Sequence, residues 1–269
     1  MNKLELNLTK NFYTAKNVGK NITFQKILLV KNDASWNWEG VIHEQIVSSK
    51  PTEGEMLTGV INEYNSVQGD RTRKKNKLAQ DIEILKKALQ KEPKNPRYLF
   101  YLAQTYLIDG QLENAIFFFQ KRVELSKTQK TCPEETFWSL YSIGCLQSDL
   151  KKESSVVIDS FLTAFAFDET RAEPLFRLAV EFQLMESYIL GYLVIEKALK
   201  IPRPSAALQI QHAVYDYLLE LKKAELAWLL GRAEESLEQY KKLLHLEKIP
   251  ETTREMVQKN VDILSTVRI

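Results

Sequence analysis

The residues best equipped for chemistry lie in one short stretch, WNWEGVIHEQI (36–46), which holds Trp36, Trp38, His43 and Glu44. An imidazole beside a carboxylate could add a ligand to a divalent cation held mainly by oxygens. Two tryptophans two positions apart share one face of a strand, where their rings could stack on a sugar or cover a small β-structure. Each reading has a plainer counterpart. If the stretch is a single strand, His43 and Glu44 point to opposite faces, and both are idle as a metal site. His212 and His245 stand alone in helical patterns and read as ordinary helix residues. Cys132 and Cys145 have no second pair, which argues against zinc and against a disulfide framework. The sequence holds no Gly-rich phosphate loop, Ser-His-Asp set or His-x-x-x-His pair.

These residues sit in a region with its own period. Within residues 1–70, NFYTAKNVGK, NITFQKILLVKN, WEGVIHEQIVSS and MLTGVINEYNS are short, rich in β-branched and aromatic residues, and separated by turn formers. They predict four strands in a small antiparallel piece that leans on something else for its core. In the second, Ile22, Phe24, Lys26, Leu28 and Val30 fall on one face. Residues 71–77 then carry five basic residues in seven without interleaved aromatics, the pattern of a solvated linker rather than a phosphate-binding patch.

From residue 78 to 269 the period is helical. Leu78, Ile82, Leu85 and Leu89 mark one face of a helix ending before Pro93. YLFYLAQTYLIDGQLENAIFFF then places Leu99, Leu102, Ala103, Tyr106, Gly110, Ala115 and Phe119 on the slots of the tetratricopeptide pattern. A later copy supplies Leu175, Leu178, Ala179, Phe182, Gly191, Ile195 and Ala198. Between them Leu140, Ile143, Gly144, Phe161 and Ala164 run one residue out of register, and a fourth copy shows Ala224, Gly231, Ser236 and Tyr240. Small residues let two antiparallel helices approach, and Gly110 and Gly231 fit turns that need a positive φ. TTREMVQKNVDIL (252–264) reads as the capping helix that such a stack requires. The expected fold is mainly α: a tetratricopeptide-like α-solenoid preceded by the small antiparallel β segment.

In arrays of this type an inner groove is lined by slots 2, 5, 9 and 12 of each first helix, with the small residue as slot 8. That counting selects Arg97, Phe100, Gln104 and Leu107, then Trp138, Tyr141, Cys145 and Ser148, then Glu173, Phe176, Val180 and Gln183. The set is aromatic and nearly uncharged, which suits an apolar peptide or a neighbouring domain better than a peptide carboxylate. Ordinary core packing is the competing reading of the same aromatics.

Bulk composition narrows the partners. Lys+Arg 37 against Asp+Glu 35 leaves a net charge of +2, no signature of nucleic acid. YILGYLVI (188–195) is far shorter than the roughly 18–20 apolar residues of a membrane span. Two cysteines and no signal-type apolar segment point to the cytoplasm.

The stretch KILLVKNDASWNWEGVIHEQI resembles the end of the catalytic domain of bacterial family 2 glycosyltransferases of the GT-A fold, through Lys26, Leu29, Asn32, Trp36, Trp38, Gly40, Val41, His43 and Glu44. One branch of that family carries tetratricopeptide repeats directly afterwards, and NPRYLFYLAQTY, QKRVEL, RAEPLFRLA and KIPRP look like that branch. The resemblance implies that His43 inherits a metal position and that Trp36 and Trp38 lie on the acceptor side. It equally implies an absence, because the family's Asp-x-Asp motif and donor-binding half do not occur in this sequence. The chain is therefore expected to be inactive alone and to need no cofactor of its own, with manganese or magnesium entering only in a complete catalytic domain. Its partner is a protein or peptide in the groove, or the missing catalytic domain; the alternative is an independent tetratricopeptide scaffold.

Overall fold

The computed structural model of the protein describes residues 8–18, 23–33, 35–63, 76–204 and 209–266. The strands come first. β1 (Phe12–Val18) lies between β2 (Thr23–Val30) and β5 (Gly54–Glu63), while β3 (Trp36–Glu39) and β4 (Gln45–Ser48) form a separate hairpin. β1 pairs antiparallel with β2 but parallel with β5, so the sheet is mixed where a purely antiparallel piece was expected. The WEGVIHEQIVSS segment is two strands and not one. Gly40 (φ 114°) and His43 (φ 51°) take left-handed conformations that break the extended backbone between them. Of the face expected in β2, Leu28 stays 49% exposed.

Among the described residues ten α-helices follow: α1 (Lys77–Lys91), α2 (Pro96–Ile108), α3 (Leu112–Ser126), α4 (Pro133–Asp149), α5 (Ser154–Phe167), α6 (Glu173–Leu184), α7 (Tyr188–Ala198), α8 (Leu219–Leu229), α9 (Ala233–Leu244) and α10 (Glu251–Thr266). Of the basic stretch 71–77, residues 71–75 lie outside the described residues. Start signals are local. Asn95 accepts from the amides of Arg97 and Tyr98, both at 3.1 Å, and Pro96 supplies the fixed φ of the first helical position in α2. A π-helical segment, Val214–Leu218, leads into α8.

The hairpins α2/α3, α4/α5, α6/α7 and α8/α9 close in one way. Seven residues after each small residue (110 − 103, 151 − 144, 186 − 179, 231 − 224), the chain turns left-handed at Gly110, Lys151, Glu186 and Gly231. The following amide donates back to the helix: Gln111 to Tyr106 O at 2.9 Å, Lys152 to Gln147 O at 2.9 Å, Ser187 to Phe182 O at 2.8 Å, and Arg232 to Ala227 O at 2.9 Å. Carbonyls that the helix end would leave bare are thereby satisfied. The slipped register of the second copy also has a cause. Its connection, 150–153, is one residue longer than 109–111, 185–187 and 230–232.

Helix packing follows the small residues. Ala103 and Ala115 are fully buried, and Ser236 Oγ donates to Ala224 O at 2.8 Å. At Gly144 a Cβ would meet the Phe161 ring at 2.8 Å, so glycine there serves close approach and not backbone freedom. The main core runs from Ile42 and α1 through α7 and along one side of α8, to Leu226 and Ala227, while Leu221, Ala224, Tyr240, Leu243, Val257, Val261 and Leu264 form a second cluster under α9 and α10.

Candidate interaction face

First helices of successive units touch, α2 with α4 and α6 with α8, which places their shared face on the inside of the stack. At its N-terminal end this face meets the β3–β4 loop. The His43 ring stacks on Tyr101 with centroids 4.4 Å apart and planes 21° apart. Its carbonyl accepts from Arg97 Nη2 at 2.8 Å, and Ile42 beside it is 4% exposed within the main core. His43 and Glu44 therefore occupy a loop, not opposite faces of a strand, and the geometry that supposedly separated them does not apply. Among the described residues no three His, Cys, Asp or Glu side chains converge to hold a metal. Trp36 rests edge-on against Phe12 at 6.1 Å, whereas Trp38 is 67% exposed and does not cover the first helix.

Arg97 also joins a buried charge cluster. Its Nη1 lies 3.3 Å from Glu135 Oε1, and Arg122 Nε lies 3.6 Å from Glu135 Oε2. Arg122, fully buried, donates to the Thr131 and Cys132 carbonyls at 2.8 and 3.1 Å. Burial pushes the Glu135 carboxyl up even with two guanidiniums beside it.

The aromatic groove positions are packing residues. Phe100 is 1% exposed and meets Phe119 edge-on at 6.1 Å. Trp138 and Tyr141 are buried against each other, and the Tyr141 hydroxyl donates to Gln211 Oε1 at 3.0 Å. Burial pushes the Cys145 thiol up to about 11. Gln104, Leu107, Phe176 and Gln183 are half-buried and keep part of their surface on the inner face.

A second network escaped the sequence reading. Arg171 donates from Nη2 to Glu173 Oε1 at 2.7 Å and to Gln209 O at 2.7 Å, and from Nε to Glu173 Oε2 at 3.1 Å. The guanidinium lies over Phe137, 4.4 Å from the ring centroid. The Tyr215 hydroxyl, carried on the π-helical segment, donates to Glu173 Oε2 at 2.6 Å, and burial together with that carboxylate raises the phenol strongly. The partners are 2 to 42 residues apart, with no periodic signal linking them. The same counting rule, carried into the fourth unit, does pick out Glu225 and Trp228.

Residues 84–117 match the tetratricopeptide repeat family. The fold is a tetratricopeptide-like solenoid. A solved structure of MamA is similar at 22% identity and TM-score 0.52, covering 69% of this chain and 96% of that one. A tetratricopeptide repeat protein from Parabacteroides merdae is 18% identical with TM-score 0.52, over 70% of this chain and 66% of its own. YrrB, described as a tetratricopeptide protein with an unusual peptide-binding site, is 12% identical with TM-score 0.50, over 68% and 84%. No curated protein matches the chain. The tetratricopeptide match lies beyond KILLVKNDASWNWEGVIHEQI, and these comparisons lend the resemblance to a glycosyltransferase no support. Among the described residues no helix is long and apolar enough to cross a membrane.

Proposed function

We propose that this protein is an interaction scaffold whose inner helix face holds a segment of a partner protein. One observation carries the reading. Ile108, Leu184 and Leu229 each stand one position past the last groove slot of a first helix, where the second unit has an exposed Asp149 instead, and stay 71%, 72% and 38% exposed. A spaced row of large apolar side chains along one stack is the kind of surface that partners cover. The described likeness of YrrB, a fold relative with a peptide-binding site, supports the same use. The test is a photocrosslinking residue placed at position 184 and, separately, at Phe117 on α3. Adducts to a defined protein at 184, lost when Leu229→Asp is added, are expected. The same adducts at both positions would count against the proposal.

A second reading, that residues 1–70 descend from the end of a glycosyltransferase domain, has one observation of its own. Parallel pairing normally belongs to sheets covered on both faces. Here β5 pairs parallel with β1 while Met56 and Ile61 stay 46% and 65% exposed, as in a piece of a larger sheet. Calorimetry with uridine and guanosine diphosphate sugars plus manganese or magnesium is expected to give no heat. Micromolar binding abolished by His43→Ala would reverse that expectation.

A further inference from the structure

We propose that the C-terminal end of the inner face grips an extended segment of the partner through one uncharged, apolar side chain. The proposal rests on the scaffold reading and adds where on the face the partner sits and what it presents. The two ends of the face differ. At the N-terminal end Phe100, Trp138 and Tyr141 are buried, and Arg97 is engaged by the His43 carbonyl and by Glu135. At the other end a cleft of about 330 Å³ opens between Gln183 of α6, Glu225 and Trp228 of α8, Tyr240 of α9, and Asn260 and Ile263 of α10. Trp228 and Ile263 are 45% and 60% exposed.

Size and charge select the occupant. The volume lies at the lower end of the roughly 300–1,000 Å³ of ligand pockets, room enough for an apolar side chain of a docked segment. Among the described residues Glu225 is the cleft's one charged group, and Lys222 already neutralises it while donating to Gln183 Oε1 at 2.7 Å. Tyr240 stays neutral, since burial and the Glu225 charge push its phenol up to about 12. A neutral cleft walled by an indole and an isoleucine favours Leu or Phe, because an incoming ion would lose its water without gaining a counter-charge. With Gln183 Oε1 taken by Lys222 and Asn260 Nδ2 donating to Met256 Sδ at 3.4 Å, the Gln183 amide nitrogen is left to donate and the Asn260 amide oxygen to accept, as an extended backbone requires.

The test uses the full chain with ¹³C-labelled isoleucine methyls, titrated with three pools of blocked hexapeptides. The pools share a Gly-Ser background and differ at the centre: Leu or Phe, Lys or Arg, Asp or Glu. The Ile263 methyl signal is expected to move with the apolar pool alone. Trp228→Ala should weaken that binding by about tenfold, and Phe117→Ser should leave it unchanged. A response to a charged pool, or an unweakened response in Trp228→Ala, overturns the proposal. Shifts confined to Ile42 and Ile143 overturn the placement but leave the scaffold reading standing. Silence from every pool at every methyl overturns both.

Discussion

At the scale of single residues, the buried ion pairs decide which substitutions matter. Arg171 and Glu173 are 1% and 0% exposed, so removing one partner strands the other's charge in the core. Arg171→Met should cost about 3–5 kcal/mol by denaturant titration, whereas Arg171→Met with Glu173→Met should recover most of that. A double substitution as costly as the single one would show that Tyr215 and Gln211, which also donate to Glu173, carry the structure instead. His43 shows the contrast between chemistry and packing. The sequence marks it as a candidate ligand by type, but its stacking on Tyr101 depends on α2 lying across the loop, and no spacing within 36–46 encodes that. Trp38 is the reverse case, an aromatic placed by strand alternation on a face that nothing in the described structure covers.

At the scale of elements, the four hairpin turns set up a clean comparison. Gly110 and Gly231 have nothing within 4 Å of a built Cβ, so replacing them costs backbone strain alone. Gly110→Ala and Gly231→Ala should each destabilise by about 0.5–1 kcal/mol, the stiffer unfolded chain offsetting part of the strain. Lys151 and Glu186 hold the same conformation with side chains that disfavour it, so Lys151→Gly and Glu186→Gly should each stabilise by about 0.5–1 kcal/mol in thermal melts, after allowance for the looser unfolded chain. Unchanged stability in both would mean that the turn geometry is set by stacking and not by the local dihedral. This is also where the sequence stops being legible. The helices, the small slots and two of the turns could be read because Ala, Gly and 3.6-residue periodicity are local signals. The left-handed turns at Lys151 and Glu186 have no glycine to announce them, the break inside WEGVIHEQ puts His43 at a positive φ its type disfavours, and the parallel β1–β5 pairing joins segments far apart in the chain. The groove slots were countable, but Phe100, Trp138 and Tyr141 are closed by neighbouring helices, which counting along one helix does not register.

At the scale of the whole molecule, buried phenols make stability fall in alkali. Tyr240 is raised from 10.0 to about 12, and Tyr141 and Tyr215 are raised as well, each mainly by burial. Between pH about 10 and 12 the unfolded chain has released these protons and the folded chain has not, so the unfolded state binds fewer protons and stability declines as pH rises. Below pH 10 both states are neutral and these groups contribute no slope. Melting temperature should drop across that window in step with phenolate absorbance, and Tyr240→Phe should flatten part of the decline; a flat profile from pH 9 to 12 would refute it. The division of the apolar interior has a consequence for how the chain is made. The larger cluster draws its members from residues 42 to 230, and the smaller one only from residues 217 to 264. A ribosome delivers these in that order. The major core can close while α9 and α10 are still being synthesised, and the last hairpin then settles on a finished template rather than helping to build it.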